Sequence, residues 1–123
     1  MTEPHKSDMH DFSIELFNSQ KEIIQKTIDQ INKDFAGFAP LLNIDLTANT
    51  SYQYIQEQIA EVLKNIVKEG TYKLNSLLYR IDMPEKFFPE QATKTNYFLM
   101  LADAIIRREY FKVTARIKFS NNQ

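Results

Sequence analysis

Few residues in this chain have both the type and the spacing to do chemistry. Its two histidines, His5 and His10, are five apart, which does not place them on one helical face. A carboxylate-bridged metal bundle needs Glu-x-x-His pairs within its helices, and neither histidine has such a neighbour. Cysteine is absent, which removes disulfides, thiol nucleophiles, thiolate zinc sites and iron–sulfur clusters. With two isolated glycines, Gly37 and Gly70, neither a phosphate-cradling loop nor a dinucleotide fingerprint can be built. Glu57 and Glu61 share a face at i, i+4, but two carboxylates without a histidine read as a solvated face. The sequence therefore assigns no catalytic residue, no metal ligand and no cofactor. It leans away from an enzyme and leaves open an active site made of carboxylates alone.

Glu109 carries the most chemical promise. On a helix at about 100° per residue it falls within about 20° of Ala102, between Ile105 and Ile106, in the middle of an apolar stripe. A carboxylate buried without a partner costs several kcal/mol or takes up a proton. Arg116 lies two turns on, a long reach along the same helix. Arg80, or a tyrosine hydroxyl, is expected to answer Glu109 from across the core. Glu109, Arg80 and Arg116 thus form a candidate buried polar cluster. It is either an ion pair that fixes helix register or the floor of a small-ligand pocket.

The same C-terminal segment carries a second seam. Tyr97, Leu101, Ala104, Arg108 and Phe111 are spaced 4, 3, 4 and 3, with Met100 beside them, roughly opposite the first stripe. A helix apolar nearly all round is either central or covered. These six residues are a candidate interface, most simply for a homodimer, unless the third helix and the 39–49 connection cover them. Arg107, Arg108, Lys112 and Arg116 make a basic run that is a candidate anion contact. Positive charge near a helix C-terminus is favoured by the helix dipole anyway, and nucleic-acid binding would want a stronger excess.

The elements that must position these residues follow from periodicity. Phe17, Ile24, Ile28, Ile31, Phe35 and Phe38 predict a helix from about Asp11 to Phe38, capped by Asp11 or Ser13 and stopped by Gly37 and Pro40. After a connection at 39–49, Thr50 with Gln53 resembles a capping box. Tyr52, Ile55, Ile59, Val62 and Ile66 then predict a second helix, ended by a left-handed glycine cap at Gly70. Leu74, Leu77, Leu78 and Ile81 predict a short third helix from Thr71 to Ile81. Asp82 with Glu85 resembles another capping box around Pro84, and Pro89 suits the first turn of a last helix running to about Phe119. Phe35, Phe38, Phe87 and Phe88 are expected to plug the ends of the bundle.

No segment alternates as a strand would. The expected fold is all-α: a small four-helix bundle, up-and-down or with one crossing connection, its third helix short. Residues 11–119 form the domain, residues 1–10 a flexible tail, and residues 120–123 a frayed end. The 123 residues, 43% hydrophobic and 25% charged, suffice for one ordinary core. No apolar run reaches membrane-spanning length, and the polar N-terminus lacks a basic-then-apolar leader, so a cytoplasmic protein is expected. Residues 1–60 hold four Lys/Arg against nine Asp/Glu, and residues 61–123 hold eleven against seven. The halves, at −5 and +4, are expected to neutralise each other when packed.

The segments Leu74 to Asp82, ending in LLYRID, and Leu101 to Glu109, LADAIIRRE, resemble a group of small bacterial helical proteins. That group pairs an LLYRID helix with a later LADxIIxRE helix. The resemblance covers roughly the C-terminal 50 residues. It implies no activity, and it points to these two segments as the part that matters. The leading expectation is a non-enzymatic interaction or assembly module. The alternatives are a small-ligand binder or enzyme around Glu109, and an accessory binder of nucleic acid.

Overall fold

The computed structural model describes residues 21–40, 42–44, 46, 50–91 and 95–121. The histidines, Asp11, Ser13, Phe17 and most of the 41–49 stretch lie outside them. Four α-helices appear among the described residues: α1 (Lys21–Phe35), α2 (Tyr52–Lys68), α3 (Thr71–Ile81) and α4 (Tyr97–Asn121). Two short 3-10 turns, Glu85–Phe87 and Pro89–Gln91, lie between α3 and α4. No strand is present among them, and none of their helices is long and apolar enough to cross a membrane.

In α1 the buried positions Ile24, Thr27, Ile28, Ile31 and Phe35 repeat at helical spacing. Thr27 satisfies its buried hydroxyl by donating to Ile23 O at 2.8 Å. The helix stops at Phe35, three residues before the expected end, because Gly37 takes φ 90° and Phe38 N and Ala39 N both donate back to Phe35 O. Arg80 of α3 clamps this end. Its Nη1 donates to Asp34 O at 3.2 Å and Ala36 O at 3.0 Å, and its guanidinium lies over the Phe38 ring at 4.8 Å. Positive charge on the last carbonyls of a helix also complements its dipole. Arg80→Met is therefore expected to destabilise the fold by about 1 kcal/mol, read as a lower urea midpoint with unchanged slope.

Beyond the turn, the Asn32 side chain accepts from Leu42 N at 2.6 Å and donates to Leu42 O at 3.3 Å. One amide thus satisfies both backbone groups of Leu42 and pins the connection while Leu42 and Ile44 enter the core. The N-cap of α2 is Ser51, whose Oγ accepts from Tyr54 N at 3.1 Å, one residue later than the expected Thr50. Gln53 reaches forward to Glu57 at 3.0 Å, so no capping box forms. Gly70, at φ 139° and ψ 133°, is outside the left-handed helical basin and serves as the N-cap of α3. A φ of 139° is one that residues with a side chain rarely adopt, so the tight α2–α3 corner favours glycine.

α3 has the expected bounds, with Leu74, Leu77, Leu78 and Ile81 fully buried. Asp82 does not open a capping box. It sits in the left-handed region at φ 66° and closes α3, with Asp82 N donating to Tyr79 O and Met83 N to Leu78 O. Pro89 likewise opens only a 3-10 turn, so α4 begins at Tyr97, eight residues later than expected. Phe35 and Phe88 are buried, while Phe38 and Phe87 pack half-buried against the core.

α4 packs along α1 and α2, and α3 in turn packs on those two. Gln30 and Asp34 of α1 meet Arg116 and Lys112 of α4, and Tyr52 and Gln56 of α2 meet Asp103 and Leu99. Both neighbours therefore run against α4, and the connection between them crosses the bundle.

Candidate functional site

The buried face of α4 spans more than half its circumference: Tyr97, Leu101, Ala102, Ile105, Ile106, Glu109, Tyr110 and Val113. This corrects the expected second seam. Tyr97 and Leu101 belong to the core, and Ala104 packs against it half-buried. Arg108 donates from Nε to Ile81 O at 3.4 Å and from Nη2 to Asp82 Oδ2 at 2.9 Å, which ties α4 to the end of α3. Tyr97 donates its hydroxyl to Phe87 O, and burial pushes that hydroxyl up to about 12. Of the six candidate interface residues, only Met100 and Phe111 are exposed, eleven residues apart along α4.

Glu109 is fully buried, as its place in the stripe implies. Its neighbours differ from those expected. Arg80 serves the end of α1, and Arg116 donates to Gln30 Oε1 at 3.1 Å. Glu109 instead faces Asp34 of α1 and Lys112 of its own helix. Lys112 Nζ stands 3.6 Å from Glu109 Oε1 and 3.9 Å from Asp34 Oδ2, a charge shared between two carboxyls. Neither Glu109 oxygen nor Asp34 Oδ2 has a hydrogen-bond donor. Burial first, then the Asp34 carboxylate beside it, push Glu109 up to about 8, against a smaller opposite pull from Lys112. A proton on Glu109 supplies the donor the pair lacks, and it brings two carboxyls and one ammonium to neutrality. Glu109 exposes no surface to solvent.

Two further groups consume polar chemistry. Tyr52 donates to Asp103 Oδ1, and Asp103 Oδ2 accepts from Arg107 Nε at 2.8 Å. Burial and the Asp103 carboxylate hold the Tyr52 hydroxyl well above the ordinary phenol range. Three of the four candidate anion contacts thus stand beside acids of this chain: Arg107 with Asp103, Arg108 with Asp82, and Lys112 with Asp34 and Glu109. Glu57 and Glu61 lie exposed on α2. Among the described residues no group of three His, Asp or Glu is placed to hold a metal ion.

Arg116 opens onto a groove of about 540 Å³ between α1 and α4, which Glu109 does not line. Lys26, Asp29, Gln30 and Lys33 form one wall, and Val113, Arg116, Ile117 and Ser120 the other. Gln30 links this groove to the buried pair, since its Nε2 donates to Asp34 Oδ1 at 3.1 Å while its Oε1 receives Arg116. The roles of Asp34, Lys26 and Lys33 did not emerge from the sequence. Asp34 lies between Ile31 and Phe35 of the α1 stripe, and an acid beside a buried stripe is the signal that marks it. Compared with known proteins, the chain matches no family model, no curated protein and no solved structure.

Proposed function

We propose that this chain is a non-enzymatic interaction module that self-associates through the outer face of α3. The reading rests on one observation: Tyr72 and Tyr79, seven residues apart on that face, are 70% and 65% exposed. Tyrosine is enriched at interfaces because it offers a large, amphipathic contact with few rotamers to freeze. Tyr79 is already held by an edge-on contact with Phe88 at 4.8 Å between centroids. A two-fold pairing centred between Asn75 and Ser76 would lay each Tyr72 on the second copy's Tyr79, and Ser76 is small enough for close approach. Asp34, Asp82, Asp103 and Glu109 stand beside cations of this chain, which supports a module without catalysis.

Light scattering coupled to size-exclusion chromatography tests this. Wild type is expected at twice the mass of one chain, and Tyr72→Glu with Tyr79→Glu is expected to return it to a single chain. A wild-type monomer would end the self-association reading. A dimer split by Phe111→Glu but not by the tyrosine pair would move the interface to the exposed end of α4.

A further inference from the structure

The α1–α4 groove has three properties that belong together. Its size, about 540 Å³, is that of a small-molecule site. Its floor is apolar, made by Val113, which is buried, and Ile117, which is half-buried. Its rim carries Lys26, Lys33 and Arg116 against the single acid Asp29, whose carboxylate already accepts from Gln25 Nε2 at 3.1 Å. None of the three cations forms an ion pair among the described residues, whereas Arg107, Arg108 and Lys112 of α4 each stand beside a carboxylate. Three cations without a partner acid thus meet at the groove, in a chain whose net charge is −1, while Lys118 of α4 stands outside it.

Arg116 is also held in place. Gln30 accepts from its Nη1, and Gln30 is itself oriented by donating to Asp34. A guanidinium fixed by a fixed amide loses less freedom on meeting an anion. The lining runs from Lys26 to Lys33 on α1 and from Val113 to Ser120 on α4, about 10 Å along each helix. That length suits a compact molecule and is too short for a partner helix. Three cations against one acid leave two positive charges, which match a phosphate monoester near neutral pH.

We propose that the groove between α1 and α4 binds a small phosphate monoester, its phosphate held by Lys26, Lys33 and Arg116 and its apolar body on Val113 and Ile117. This site is independent of the α3 face and does not rest on self-association. The probe is 1-naphthyl phosphate, titrated into the full chain and followed by backbone amide shifts. Saturable one-to-one binding is expected, with shifts centred on Lys26–Lys33 and Val113–Ser120. Binding of 1-naphthol, inorganic phosphate and 1-naphthoate should each be about tenfold weaker, since each lacks the body, the phosphate or its second charge.

Lys33→Gln combined with Arg116→Gln is expected to weaken 1-naphthyl phosphate about tenfold or more. Lys118→Gln, an exposed cation of α4 outside the groove lining, should leave it unchanged. If the double variant does not fold, salt gives the same reading on wild type, because screening should weaken the phosphate and leave 1-naphthol unaffected. The proposal is overturned by any of three results: no saturation with 1-naphthyl phosphate, shifts centred elsewhere, or 1-naphthol bound as tightly as its phosphate.

Discussion

Glu109→Gln is expected to be more stable than wild type at pH 8.5 and close to it at pH 5. The sign follows from proton linkage. Glu109 has an ordinary value of 4.5 and is pushed up to about 8 in the fold, by burial first and by Asp34 second. Between those values the folded chain holds a proton that the unfolded chain releases, so stability falls as pH rises. The contribution is fully present below about pH 4.5 and lost by the time pH passes about 8. A shift of this size corresponds to roughly 3–5 kcal/mol across the window. Glutamine fills the same volume, stays neutral at every pH, and can donate to Asp34 in place of the proton. The difference in melting temperature between wild type and Glu109→Gln, followed from pH 5 to 8.5, cancels the titrations of groups distant from Glu109. A difference that does not change with pH would mean that Glu109 is not the buried acid described here. Glu109→Ala separates charge from volume. It opens a cavity and leaves Asp34 Oδ2 without the proton that Glu109 supplies, so it should be destabilising by a few kcal/mol even at pH 5.

Phe35→Ala is the second large effect. Phe35 is the last residue of α1 and is 1% exposed. Its side chain fills the core where the chain turns, and its carbonyl accepts from both Phe38 N and Ala39 N. Truncation removes the ring's transfer energy and leaves a cavity that rigid neighbours close only in part, a loss of about 3–5 kcal/mol. The melting midpoint should fall by roughly 10 °C or more. Phe119, at 71% exposed, is the comparison. Phe119→Ala should change stability by less than about 0.5 kcal/mol. Equal effects at the two positions would contradict the packing at the end of α1.

The two phenylalanines also show what a sequence can hold. Phe35 is placed in the core by its position in the stripe with Ile24, Ile28 and Ile31, and that stripe is visible in a string of letters because neighbouring turns share one backbone geometry. The same local rule marks α3 at both ends and puts Glu109 inside before any coordinates; in α2 it finds Ile55, Ile59 and Ile66 but takes half-buried Tyr52 and Val62 for core and misses Ala60 and Leu63. Helix type, number and facing side are near-neighbour properties, so the all-α fold was legible from composition and spacing.

Tertiary structure decided the rest, wherever a residue answers to something distant in the chain. Ser51 rather than Thr50 caps α2, and Asp82 closes α3 rather than opening a turn, because chain direction at each junction depends on where the next helix must dock. The late start of α4 has the same origin: Pro89 permits a helix but does not compel one. The second seam of α4 looked like a surface because an isolated helix has no neighbours. With α1 and α2 alongside and the end of α3 held by Arg108, Tyr97 and Leu101 become core. Glu109 was legible as a buried carboxyl, but its partner was not. Periodicity places a side chain on a face and is silent about which helix lies across from it. Only the pairing of α1 against α4 brings Asp34 to Glu109, gives Arg80 to the end of α1, and gathers Lys26, Lys33 and Arg116 around one groove.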